Sequence, residues 1–224
     1  FLAHSMGYDW LFLADGITTP LITSNRINTP DVAEQALADG CGDMVSMARP
    51  LLADPDFVRK AARGQADQIN TCIGCNQACL DHVFRNRLSS CLVNPQACHE
   101  TELIYRPLGP GVTARRMAVV GAGPAGLTAA TILAARGHRV TLFEAADTIG
   151  GQINLAKQVP GKEEFYEMLR YYQRRLEITG VEVCLGRKVG ANDLAEFDEV
   201  IVATGVRPRD PGIAGQDHPR VVSY

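Results

Sequence analysis

Short apolar runs alternate along most of the chain with stretches whose apolar residues recur every three or four positions, a pattern of buried strands and amphipathic helices. Leu21–Ser24 predicts a buried strand. Thr29-Pro30 then supplies a helix cap and a first-turn proline; Ala33, Ala36 and Leu37 share one face, and Gly40 ends the helix. Asp43–Ala48 predicts a second buried strand, after which Asp54-Pro55 repeats the cap-and-proline start for a helix carrying Phe57, Val58 and Ala61 to Gly64. Strand, helix, strand, helix with short links predicts parallel α/β units.

Between Gln65 and Arg116 the periodicity weakens, and this zone closes on a stiff, Pro- and Gly-rich link, Arg106–Gly111. Regular alternation returns at Met117. A strand, Met117–Val120, runs into Gly121-Ala-Gly-Pro-Ala-Gly126, and a helix follows with Leu127, Ala130, Leu133 and Ala134 on one face and Gly137 at its end. Next come a strand at Val140–Phe143, a helix from about Glu163 with Phe165, Met168, Leu169, Tyr172 and Leu176 inward, and Gly180 at its end. Val181–Leu185 and Glu199–Ala203 are the last predicted strands. The zones therefore divide at 1–64, 65–111 and 112–224.

Composition narrows the function classes. The 224 residues are 46% hydrophobic and 21% charged, with 22 basic against 25 acidic side chains and a net charge of -3. Neither a disordered tail nor a nucleic-acid or polyanion binder fits that balance. The longest apolar runs fall far short of the ~20 residues of a membrane span. Seven cysteines, an odd count behind no visible leader, lead us to expect reduced thiols in a cytoplasmic protein. The opening Phe1, in place of Met, raises the expectation of further sequence upstream.

The glycine motif lies between a strand and a helix, the context in which G-x-G-x-x-G grips phosphate. Gly121 permits the tight turn, Gly123 lets the backbone approach a pyrophosphate, and Gly126 lets helix and strand pack closely. Pro124 and Ala125 open the helix, whose N-terminus is attractive to that anion. Glu144, at the end of the next strand, is placed to accept from ribose hydroxyls. The bland alternative is a glycine-bearing turn beside an ordinary surface Glu. Gly150-Gly151-Gln152 and Ala203-Thr204-Gly205 follow; together these pieces resemble the FAD domain of the disulfide-reductase-like flavoproteins. That resemblance implies that Gly121–Gly126 cradle the FAD pyrophosphate, Glu144 holds the ribose, Gln152 lies along the cofactor and Val189 reaches the adenine edge.

Cys72, Cys75, Cys79 and Cys91 read C-x2-C-x3-C-x11-C. Three close thiolates and one distant fourth suit a [4Fe–4S] cube, whereas zinc sites favour two separated C-x2-C pairs or mixed Cys/His sets. Zinc and unliganded buried thiols stay open as alternatives. His82 is a possible substitute ligand, though a solvated loop histidine is the commoner case. Cys41, Cys98 and Cys184 read as small packing residues.

In the first zone, Arg26 and Arg49 each follow a predicted strand. In βα-barrels a phosphate site often forms from the loops after the last two strands, and two guanidinium forks there suit a phosphate. From spacing alone, two solvated surface arginines are the better reading.

The order of the pieces, barrel end, cysteine cluster, FAD-type unit, resembles the multidomain relatives of old yellow enzyme. These include 2,4-dienoyl-CoA reductases, trimethylamine dehydrogenase and bacterial enoate reductases. Asn70–His82, Ser90–Pro95, Pro160–Tyr166 and Tyr171-Tyr172 look most like bacterial 2,4-dienoyl-CoA reductases. The resemblance implies an α/β architecture: the last βα units of a TIM barrel, an iron–sulfur segment, then the first part of a Rossmann-like FAD-binding domain. It implies that Arg26, Ala48 and Arg49 line an FMN phosphate site and that Cys72, Cys75, Cys79 and Cys91 ligate a [4Fe–4S] cluster. It also implies an NAD(P)H-dependent oxidoreductase passing electrons from FAD through the cluster to FMN. Its small-molecule substrate would be a conjugated enoyl- or dienoyl-CoA, as in the β-oxidation of unsaturated fatty acids.

On that reading the chain is an internal fragment of a roughly three-times-longer enzyme. The active-site acids lie upstream, the nicotinamide site downstream, and the piece alone is inactive and poorly soluble. Within the enzyme class, trimethylamine-dehydrogenase-like demethylation and enoate reduction are the alternatives. A glutamate-synthase-like electron-input subunit shares the later motifs but has no barrel in front. From another class, the alternative is a non-catalytic, zinc-stapled nucleotide-fold scaffold.

Overall fold

The computed structural model describes residues 18–206, 209–210 and 212–221. The opening residues of the first expected unit, and Arg207-Pro208, lie outside the described residues. The order of elements is β1 (Ile22–Ser24), α1 (Pro30–Ala38), β2 (Met44–Ser46), α2 (Arg49–Ala53), α3 (Phe57–Ala62) and α4 (Leu80–Val83). There follow β3 (Arg116–Val120), α5 (Pro124–Arg136), β4 (Arg139–Phe143), α6 (Ile153–Ala156), α7 (Phe165–Thr179), β5 (Glu182–Cys184) and β6 (Glu199–Val202).

β1 and β2 pair in parallel, with Ile22 opposite Met44. Thr29 caps α1 as expected, its side chain accepting from the Val32 amide, and Gly40 follows the helix with φ of +71°. One expectation fails here. The strands are not buried: among the described residues they pair only with each other, leaving Ile22 60% and Met44 54% exposed. Asp54 caps the turn into α3 as expected: its Oδ1 accepts from the Asp56 amide at 3.0 Å and its carbonyl from the Phe57 amide at 3.1 Å, with Pro55 in that turn. What the pattern did not predict is a separate helix, α2, running from Arg49 with Pro50 in its first turn. The other oxygen of Asp54, a residue 3% exposed, accepts from Lys60 Nζ at 2.5 Å and from the Asn70 amide at 2.8 Å.

The second sheet is wholly parallel, in the order β5-β4-β3-β6. β3 lies between β4, the next strand in the chain, and β6, the last. The order reverses there, and in open α/β sheets ligands bind beyond the strand ends at such a point. α5 lays Leu127 and Ala130, both fully buried, against this sheet, and α7 adds Met168, Tyr172 and Leu176. Gly137 and Gly180 end these helices in the left-handed conformation, as their positions predict. One continuous core joins this unit to the cysteine segment, because Ile73 and Val93 belong to the same buried cluster as Met117, Val119 and Leu142. Among the described residues no helix is long and apolar enough to cross a membrane.

Candidate functional site

The strand ends at the switch point open into a cavity of about 570 Å³. Its lining includes Gly121, Gly123, Pro124, Ala125, Glu144, Gln152 and Val189 from the sequence reading, together with Ala203, Thr204 and Gly205. Packing explains the glycines. A side chain on Gly121 would overlap the Ala203 carbonyl, and one on Gly126 would overlap the Gly121 carbonyl, so neither position can carry a Cβ without separating β3, α5 and β6. Gly123 differs: a Cβ there meets no protein atom within 4 Å and would project into open space at the cavity wall. The room beside Gly123, at the N-terminus of a thirteen-residue helix, fits a pyrophosphate.

Glu144 has partners that spacing did not suggest. Its Oε2 accepts from the Ala122 amide at 2.6 Å and its Oε1 from the Ala146 amide at 2.9 Å. The carboxylate thus braces the glycine turn from below. Each oxygen has a further lone pair for a ribose hydroxyl. Arg187 and Lys188, which the sequence reading passed over, line the same cavity, and Arg187 lies over the Phe143 ring, 5.3 Å from its centroid. The Gly-Arg-Lys run one residue past β5 is the signal that would have found them.

Cys72, Cys75, Cys79 and Cys91 come together around a second, small cavity, with Arg49, Leu52, Ile73, Asn76 and Val93. All four are free thiols. Gly74 and Asn76 take left-handed backbone conformations, φ of +63° and +60°, which fold the Cys72–Cys79 loop back on itself. Cys91 joins the other three from beyond α4 in the chain order. Burial pushes its thiol pKa up, against the pull of the nearby Val93 and Asn94 amides, and the neighbouring Cys72 and Cys75 push the same way as burial.

Among the described residues no group of three or more His, Cys, Asp or Glu side chains is placed to hold a metal ion. A tetrahedral zinc needs its sulfurs within ~2.3 Å of one point, whereas a [4Fe–4S] cube takes one thiolate at each of four corners. The chain brings four free thiols to the border of one cavity, the number either group requires. His82 lies elsewhere, its Nδ1 hydrogen-bonded to the Leu88 carbonyl at 2.9 Å. Of the remaining cysteines, Cys41 and Cys184 are half-buried; Cys98 is exposed and so does not pack as expected, held at φ of +63° in a tight turn.

The cysteine segment is fastened on both sides. From α7, Arg170 Nη2 donates to the Ile69 carbonyl at 2.9 Å and to Thr71 Oγ1 at 3.2 Å, just before Cys72. From the first zone, Arg49 Nη1 donates to Asn76 Oδ1 at 2.6 Å, and Arg26 lies against Gly74 while pairing with Glu164. The two arginines therefore converge on one stretch, Gly74–Asn76, each already holding a protein partner. Ala48 caps α2 between them in sequence, its carbonyl accepting from the Leu52 amide at 3.1 Å.

Comparisons with known proteins divide along the same line as the two sheets. Residues 4–68 match the NADH:flavin oxidoreductase / NADH oxidase family, and residues 115–223 match the pyridine nucleotide-disulphide oxidoreductases. A metal reductase of Desulforamulus reducens is 42% identical over 95% of this chain and 33% of its own length. A cinnamate reductase of Clostridium sporogenes is 33% identical over 90% of this chain and 30% of its own. Among solved structures, a 2-naphthoyl-CoA reductase in complex with 2-naphthoyl-CoA superposes with a TM-score of 0.86 at 38% identity. That match covers 94% of this chain and 33% of the other. The chain thus spans about a third of the length of these relatives.

Proposed function

The chain belongs to the flavin oxidoreductases related to old yellow enzyme and trimethylamine dehydrogenase, and on that premise we propose that the protein reduces a conjugated carbon–carbon double bond at the expense of NAD(P)H. The observation that carries the reading is the pairing of two sites in one chain, a glycine cradle with room beside Gly123 and a cavity ringed by four free thiols. Gly121–Gly126, Glu144, Gln152 and Val189 would hold FAD; Cys72, Cys75, Cys79 and Cys91 would hold a [4Fe–4S] cluster; Arg26, Ala48 and Arg49 would border the phosphate of FMN. When bound, these groups supply the redox chemistry: hydride accepted from a nicotinamide, electrons passed singly, and hydride returned to one end of the activated alkene.

The chain's own residues do the holding. The α5 N-terminus and the amides of the glycine turn neutralise a pyrophosphate, and Glu144 fixes that turn while presenting acceptors to a ribose. Arg170, Arg49 and Arg26 hold the cysteine loop between the two sheets, so that neither unit can drift from it.

For the substrate we favour an enoyl or dienoyl thioester of coenzyme A. Asn70–His82 and Ser90–Pro95 resemble the 2,4-dienoyl-CoA reductases, and the 2-naphthoyl-CoA reductase at TM-score 0.86 was captured with an acyl-CoA. The cinnamate reductase supports a second reading, a free unsaturated carboxylate. NAD(P)H oxidation by the whole protein, with 2,4-hexadienoyl-CoA and with cinnamate in parallel, separates the two. Turnover of neither removes the proposal.

A further inference from the structure

Arg26 and Arg49 meet at the turn Gly74–Asn76, and they meet it in different states of charge. The Arg26 guanidinium fills the place that a Cβ on Gly74 would take, and it is paired with the Glu164 carboxylate. Arg49 Nη1 donates instead to a neutral acceptor, Asn76 Oδ1, at 2.6 Å, and Arg49 has no carboxylate partner among the described residues. A guanidinium has only N–H groups to offer, so the amide turns its oxygen toward Arg49. One arginine is neutralised where it stands; the other is oriented and keeps its charge.

Asn76 is itself held in place. It follows Cys75 directly, takes the left-handed conformation at φ of +60°, and its carbonyl accepts from the Asp81 amide at 3.1 Å. Asparagine is among the few side chains that adopt this conformation readily. With Arg49 it borders the cavity of the four thiols. The loop that gathers the cysteines therefore also fixes the direction of a cation just past β2.

We propose that Asn76 is a positioning residue for the phosphate of FMN: from the cysteine loop it aims the Arg49 guanidinium without cancelling its charge. The inference rests on the FMN reading above. One N–H of the guanidinium is engaged by Asn76, and the rest of the fork is left for a phosphate. A carboxylate in place of the amide would hold the guanidinium as firmly but offset the charge that attracts the anion. Glycine would keep the backbone turn and let the guanidinium swing.

The test is a fluorescence titration of FMN, and of riboflavin, which lacks the phosphate, into FMN-depleted full-length protein carrying Asn76→Asp or Asn76→Gly. Iron is measured on the same samples. Both variants are expected to lower the preference for FMN over riboflavin by about tenfold, with riboflavin affinity and iron content as in wild type. A merely structural role would weaken both flavins alike, and would leave Asn76→Asp, which keeps the hydrogen bond, indistinguishable from wild type. An unchanged preference in Asn76→Asp at full iron content overturns the proposal, as does an equal loss of both flavins in both variants. Should neither variant fold, Arg49→Gln and Arg26→Gln decide instead. The preference for FMN should fall further in Arg49→Gln, and an equal or greater fall in Arg26→Gln overturns the proposal. A wild-type protein that binds FMN no more tightly than riboflavin defeats the FMN reading itself.

Discussion

Gly126 stands so close to the Gly121 carbonyl oxygen that any side chain on it would overlap that atom. Helix α5 and strand β3 meet at this contact, so the two glycines share a structural task that Gly123 does not. Gly126→Ala is expected to overpack the contact and lower the stability of the unliganded protein by about 1–3 kcal/mol. Urea unfolding of flavin-free protein checks this.

Gly123→Ala should behave in the opposite way. Its methyl meets no protein atom within 4 Å, so the flavin-free protein melts like wild type. The same methyl occupies the space beside the helix N-terminus, and FAD content falls by at least tenfold. Equal FAD in the variant would remove the pyrophosphate from that position.

Asp54 couples α2, α3 and the cysteine segment through Lys60 and the Asn70 amide. Asp54→Ala leaves a mostly buried ammonium and a buried amide unpaired, at a cost of about 3 kcal/mol. Asp54→Asn, which can still accept from Asn70, should cost less. Comparing the urea midpoints of the two variants checks the order.

Burial pushes the Tyr171 hydroxyl pKa up to about 12 from its ordinary value of 10.0. A raised folded-state pKa means the protonated side chain is favoured in the fold, so its contribution is complete below pH 10 and is lost as the pH rises toward 12. Stability should therefore decline across that window by on the order of 2 kcal/mol more in wild type than in Tyr171→Phe, which has no proton to lose. Parallel declines in the two proteins would contradict this.

Much of this was legible along the chain wherever a few neighbouring residues decide the outcome. Thr29-Pro30 starts α1, Gly137 and Gly180 stop α5 and α7, and the glycine turn falls between β3 and α5 as its spacing requires. Asp54-Pro55 was legible as a cap, which Oδ1 makes with the Asp56 amide, but not as a buried tether, because the partners of Oδ2, Lys60 and Asn70, come from later in the chain. Asn70 and Asn94 lie in motifs the chain displays, but the carbonyls they hold, those of Ala53, Val93 and Leu52, were not legible because most lie far off in sequence. The exposure of β1 and β2 was hidden for the same reason. An apolar run reports what a strand is made of, not what lies against it.

The four thiols around one cavity make a further, separable prediction. Replacing Cys72, Cys75, Cys79 or Cys91 by Ser should each abolish iron binding, whereas Cys41→Ser, Cys98→Ser and Cys184→Ser should leave it intact. Iron content of the seven variants checks the division.

Metal, acid-labile sulfide and flavin counted on the anaerobically purified whole protein test the account most directly. It predicts about four irons and four sulfides per chain together with bound FAD. One zinc per chain, or a colourless protein with neither iron nor flavin, would contradict it.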